Sequence, residues 1–118
     1  MPYRPDYATA EPPRTAIDAL EGPTVLEFGA PWCGHCIAAQ PAIEAALARQ
    51  PQVRHLKVED GPGRALGRSF RVKLWPTLVF LRDGVEYARV VRPIDGEPLR
   101  PALAGIVDDA AGPPPPTA

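Results

Sequence analysis

The chain has 118 residues, 45% of them hydrophobic and 23% charged, with a net charge of −1. That profile suits one globular domain with a modest core, and a balance so near neutral argues against nucleic acid or an anionic membrane surface as a partner. No apolar run approaches the ~20 residues of a membrane span, and "MPYRPDYATAEPP" has no apolar signal-peptide core, so the expected compartment is the cytoplasm.

In chain order, residues 1–13 hold four of the 17 prolines and read as an extended N-terminal segment, with Tyr7 to Ala10 a candidate edge strand. "PPRTAIDALEG" reads as a short helix, opened by prolines and stopped at Gly22. "TVLEFGA" is a β-rich apolar run that suits a strand covered on both faces. From about Cys33 to Gln50 the chain reads as a helix with Ile37, Ile43 and Leu47 on its buried face. Pro41 inside it removes a backbone donor and predicts a kink. "QVRHLKVE" follows as a strand and "PGRALGRSF" as a short helix. "TLVFLR", "DG" and "VEYARVV" then give a strand, a tight turn and a strand, a hairpin signature. "DGEPLRPALAGIVDDA" is the last helix, with Asp95 as its expected cap and Leu99, Leu103, Ile106 and Val107 as its buried face. The folded domain is thus expected over 14–110, with 111–118, which contains Pro113 to Pro116, as a Pro-rich disordered tail.

A strand–helix–strand start requires a parallel crossover, whereas the hairpin is antiparallel. The predicted fold class is therefore α/β, a mixed central sheet flanked by helices on both faces.

Both cysteines lie in "FGAPWCGHCIAAQP". A structural zinc site needs four ligands. Cys33, His35, Cys36 and His55 are the only cysteines and histidines, and His35 is poorly placed between the two thiols. A permanent disulfide would close a tiny loop and remove little chain entropy. A redox pair fits better. Cys33 stands where a strand gives way to a helix, and the free N–H groups and dipole of a helix N-terminus favour a thiolate. Cys36, one turn on, is close enough to resolve a mixed disulfide. Gly34 lets the chain turn, and His35, when protonated, adds positive charge beside Cys33. Glu27, among Val25, Leu26 and Phe28, has two readings. Either it is buried and exchanges a proton with Cys36, or strand alternation turns it to solvent. His55 reads as an ordinary strand residue and Lys57 as a strand-end charge.

"TVLEF", "APWCGHC", Pro41, "LKVE", "WPTLVFLRDG" and the C-terminal amphipathic helix together resemble the thioredoxin family, over roughly residues 14–108. The resemblance implies the thioredoxin fold. It casts Cys33 as nucleophile, Cys36 as resolving thiol, Trp32 as the aromatic flanking the site, and Pro76 as the cis-proline beside the disulfide that holds substrate backbone. It casts Glu27 as the buried acid behind Cys36, paired with Lys57. Gly34 and Trp75 join Trp32 and Pro76 as expected substrate-facing positions. The implied activity is thiol–disulfide exchange, without metal or organic cofactor, by a monomer. Its partners would be disulfide-containing proteins or small thiols, with a reductase or thiol as electron donor. The alternative is a binding, assembly or redox-sensing module with little turnover.

Four departures qualify the resemblance. His35 replaces the usual proline, and Cys-Gly-His-Cys resembles the catalytic domains of protein disulfide isomerases, which predicts a less reducing protein. Gly29 stands where a large aromatic is usual, which predicts looser packing under the site. Trp75 is bulkier than the usual residue before Pro76. Arg92–Pro93 replace a loop glycine that contacts substrate.

Overall fold

The computed structural model describes residues 3–108; the expected Pro-rich tail over 111–118 lies outside the described residues. Helix α1 (Arg14–Asp18) leads into β1 (Pro23–Gly29), α2 (Gly34–Ala48) and β2 (Arg54–Glu59). Helix α3 (Ala65–Ser69), the hairpin β3 (Thr77–Arg82) and β4 (Val85–Val91), and α4 (Leu99–Val107) complete the chain. The sheet order is β2-β1-β3-β4. β1 runs parallel to β2 and antiparallel to β3, and β4 is antiparallel to β3. The sheet is mixed, as the crossover and the hairpin require. The hairpin turns on Asp83 and Gly84 with φ of 52° and 79°, the left-handed pair that matches the twist of a two-residue turn.

Strand alternation divides the core in two. Val25, Leu78 and Phe80 face α2 and α4, where they meet Ile43, Leu47, Leu99, Leu103 and Ile106. Leu26, Phe28, Val79 and Leu81 face the other way, onto Ile17, Leu66 and Phe70. Because β1 and β3 are covered on both faces, they read as nearly continuous apolar runs.

Four local expectations are corrected. Ile37 is 59% exposed; the buried stripe of α2 is Cys36, Ala39, Ile43 and Leu47, at the spacings of one helical face. The helix begins at the redox motif, so its first inward turn carries a thiol and an alanine. Asp95 does not cap α4. Its Oδ1 accepts the Glu97 N–H upstream at 2.9 Å, and Pro98 occupies the N-cap position without a side-chain hydrogen bond. Val107 is only half-buried at the helix end. Tyr7 to Ala10 form no strand; Ala8 N–H donates to the Lys57 carbonyl at 2.8 Å, and the rest of the arm is held by side chains. Among the described residues no helix is long and apolar enough to cross a membrane.

Candidate active site

The site lies at the carboxyl end of β1, where the chain turns into α2. Cys33 has extended backbone angles (φ −81°, ψ 118°) and acts as N-cap of α2, its Sγ accepting the Cys36 N–H at 3.3 Å. A sulfur in this position takes one of the free donors of the helix start, where negative charge is favoured. Both cysteines are free thiols. Burial pushes the Cys36 thiol up to about 11. A hydrogen bond to Cys33 adds to the rise, while hydrogen bonds from the Ala30 backbone and the Tyr7 hydroxyl oppose it. His35 and Gly34 are exposed at the helix tip.

The outer rim is aromatic. Trp32 is 72% exposed and meets Trp75 edge-on, with ring centroids 5.6 Å apart at 71°. Trp75 is half-buried, packs on Ala30, Cys33 and Cys36, and donates its indole N–H to Asp60 Oδ2 at 2.9 Å. The Trp75–Pro76 peptide bond is cis. Arg92 keeps a glycine-like φ of 51°. Its backbone N–H donates to the Pro76 carbonyl at 2.9 Å and its Nε to the Trp75 carbonyl at 2.9 Å. The residue that replaces the loop glycine thus ties the β4 end to the Trp75–Pro76 segment.

Behind the thiols lies a buried polar network. Glu27 is fully buried on the α2 face of β1. Register pairs it with Lys57, but the expected ion pair is not formed. Lys57 Nζ donates instead to the Pro5 carbonyl at 2.8 Å and to Gln40 Oε1 at 3.0 Å, and Gln40 Nε2 donates to Glu27 Oε2 at 2.9 Å. Gln40 stands between the two charges. Since an ammonium only donates, the amide oxygen must face Lys57 and the nitrogen Glu27. The same nitrogen donates to the Cys36 carbonyl at 2.8 Å, linking the carboxylate to the helix turn that carries the resolving thiol.

Sequence reasoning missed His55. It is buried, with Nε2 2.8 Å from Glu27 Oε1. Its Nδ1 accepts the Arg4 backbone N–H at 2.8 Å. An unprotonated Nδ1 places the proton of a neutral ring on Nε2, so His55 donates to Glu27. Both Glu27 oxygens therefore accept a hydrogen bond. The signal available in the sequence was parity: Val53, just before β2, and His55 and Lys57 within it share the same inward face.

The N-terminal arm closes this network. Tyr3 stacks on His55 with centroids 5.5 Å apart and donates its hydroxyl to Gln40 Oε1 at 2.7 Å. Lys57 Nζ lies 4.7 Å from the Tyr7 ring centroid, a cation–π distance. No buried side-chain nitrogen or oxygen among the described residues lacks a partner. The looser packing expected at Gly29 is not found, because the Tyr7 hydroxyl and the Cys36 sulfur occupy the space a side chain would need.

A dithiol at a helix tip after a central strand, with a cis-proline just before the neighbouring antiparallel strand of a mixed four-stranded sheet, defines a thioredoxin-fold protein. The family model described as Thioredoxin matches residues 8–104, and the chain belongs to that family, whose members are generally oxidoreductases. The solved structure of reduced thioredoxin 2 from Pseudomonas aeruginosa PAO1 is similar at 58% identity and a TM-score of 0.76, over 85% of this chain and 93% of that one. Thioredoxin from Chlamydia trachomatis serovar D is 35% identical over 76 residues, 64% of this chain and 74% of the relative. Human protein disulfide-isomerase A2 is 46% identical over 69 residues, 54% of this chain, and the match spans 13% of that relative's length.

Proposed function

We propose that this chain is a thiol–disulfide oxidoreductase of the dithiol-exchange type, with Cys33 as nucleophile. The observation that carries the reading is the asymmetry of the two thiols. Cys33, 8% exposed, caps the helix next to an exposed aromatic rim, while Cys36, 1% exposed, holds its proton up to about 11.

The Cys33 thiolate attacks one sulfur of a substrate disulfide, forming a mixed disulfide and releasing the other sulfur as a thiolate. Cys36 then loses its proton, with Glu27 as acceptor in this reading, and attacks Cys33. The Cys33–Cys36 bond forms, the substrate's second sulfur leaves, and two electrons have passed to the substrate. A reductase or small thiol must return them; in reverse, a client dithiol is oxidised. Trp32, Gly34 and the half-buried Trp75 form the surface against which the client lies, with the buried Pro76 offering backbone beside Trp75. His35 beside both sulfurs supports the finer reading, a poise more oxidising than a thioredoxin with proline at that position and closer to a protein disulfide isomerase domain.

Insulin-disulfide reduction by the wild type, Cys33→Ser and Cys36→Ser tests this. Turnover should be lost in the first, and the second should trap mixed disulfides. Wild-type turnover equal to that of Cys33→Ser would overturn the reading in favour of a binding or sensing module.

A further inference from the structure

Gly29 ends β1 directly beneath the thiols. A methyl group added there would lie 2.6 Å from Cys36 Sγ and 2.9 Å from the Tyr7 hydroxyl. Both are closer than any van der Waals contact, so the two polar atoms converge on one point above the glycine. One belongs to the resolving thiol; the other arrives from the N-terminal arm, outside the secondary structure that builds the site. Tyr7 also lines the cleft that contains Cys36, Gln40 and Lys57.

We propose that Tyr7 is a catalytic residue of the resolving step, its hydroxyl donating a hydrogen bond to Cys36 Sγ as that sulfur becomes the attacking thiolate. The assignment deepens the proposed function and rests on it for its catalytic meaning.

Three observations support it. The arm is fastened on either side of Tyr7, by Lys57 Nζ on the Pro5 carbonyl and by Ala8 N–H on the Lys57 carbonyl, both at 2.8 Å. These contacts hold the phenol in place without help from its hydroxyl. Next, the phenol stays protonated. Burial first, then the charges of Cys36 and Glu27, hold it well above the ordinary phenol range, so it remains a donor whenever Cys36 ionises. Last, the Tyr7 hydroxyl next to the sulfur counteracts the upward push that burial exerts on the Cys36 thiol. The groups around Cys36 are Cys33 on its own turn, the Ala30 backbone, and Tyr7, with Gln40, Glu27 and Lys57 behind. Of the side chains in contact with the sulfur, Tyr7 is the one that favours its ionised form. In the exchange step the Cys36 proton leaves, the Tyr7 proton stays on its oxygen, and the Cys36 sulfur bonds to Cys33 while the client sulfur departs.

The test is the Cys36 titration in a Cys33→Ser background, which leaves one thiol in a chain of two. The readout is the pH dependence of iodoacetamide alkylation. Tyr7→Phe keeps the ring and should raise the Cys36 pKa by about one unit, slowing alkylation about tenfold at a fixed pH below it, the scale of a hydrogen bond to a charged atom. Tyr3→Phe, in the same arm but bonded to Gln40, should leave it in place. No shift in Tyr7→Phe, or an equal shift in Tyr3→Phe, overturns the assignment. Should Tyr7→Phe fail to fold, Gly29→Ala decides. It keeps the phenol on the chain and sets a methyl between hydroxyl and sulfur; a raised pKa supports the proposal and an unchanged one overturns it. No substrate is involved, so wild-type inactivity toward insulin would defeat the proposed function and leave this titration to be judged alone.

Discussion

Replacing Glu27 with glutamine separates a carboxylate's role from that of a merely polar side chain. The variant is nearly isosteric, but glutamine offers one acceptor and one donor where the site holds two donors. His55 Nε2 and Gln40 Nε2 point at the two Glu27 oxygens, at 2.8 Å and 2.9 Å. Neither donor can reverse. The far nitrogen of His55 already accepts the Arg4 N–H at 2.8 Å. The Gln40 oxygen already accepts from Tyr3 and Lys57, at 2.7 Å and 3.0 Å. Whichever way the new amide turns, one N–H faces another. A hydrogen bond to a charged group is worth about 1.5–3 kcal/mol, and an unpaired buried donor costs about 1–3 kcal/mol. Since relaxation recovers part of this, Glu27→Gln should lose about 2–4 kcal/mol. That is a large share of the roughly 5–15 kcal/mol of a typical domain, yet compatible with folding. Urea unfolding at pH 7 should show a lower midpoint with an unchanged slope. A double-mutant cycle with His55→Phe should give a coupling of about 1–3 kcal/mol. A loss below about 0.5 kcal/mol would refute the donor assignment and the fixed tautomer together.

Three further outcomes are expected. His35→Pro should make the Cys33–Cys36 couple more reducing by about 30 mV, the equivalent of about 1.4 kcal/mol; an equal or more oxidising potential in a glutathione titration removes His35 as the tuner. In the reduced protein, the raised Cys36 pKa of about 11 means the folded state holds a proton that the unfolded chain releases near 8.5. That contribution, about 3 kcal/mol, is intact below pH 8.5 and is lost as the pH rises toward 11, so the stability gap between wild type and Cys36→Ser should narrow over that window; a constant gap would contradict it. Asp60→Ala removes the acceptor of the Trp75 indole, whose bond is 2.9 Å long. It should cost about 1 kcal/mol and, in a Trp32→Phe background, red-shift the Trp75 emission; unchanged emission would mean the indole is held by packing alone.

The order of elements and the mixed sheet were legible because each rests on local pattern: apolar runs for β1 and β3, Asp83–Gly84 for the hairpin, and the cysteines at a strand-to-helix switch. What was not legible depends on chain segments distant in sequence. His55 looked ordinary because β2 is an edge strand, and an edge residue is buried only if something else covers it. The cover is Tyr3, stacked on its ring, in a proline-rich stretch whose composition marks it as lying outside the core. Register alone places Lys57 next to Glu27, but an amide from α2 reaches between them, and no strand pattern announces it. The face of α2 was misassigned at its first turn for a related reason: near a reactive thiol the inward positions are small and the large aliphatic, Ile37, is left on the surface.

The glycine at position 29 ties two distant positions to one volume. In relatives of this chain, a small residue at 29 should occur together with an aromatic at 7. A bulky residue at 29 should be accompanied by an arm that is shorter or lacks that aromatic. Grafting either feature alone onto a relative should fail, since one arrangement leaves a hole against the sulfur and the other sets two side chains in the same space. Positions 7 and 29 should therefore vary as a pair, although no strand or helix contact connects them.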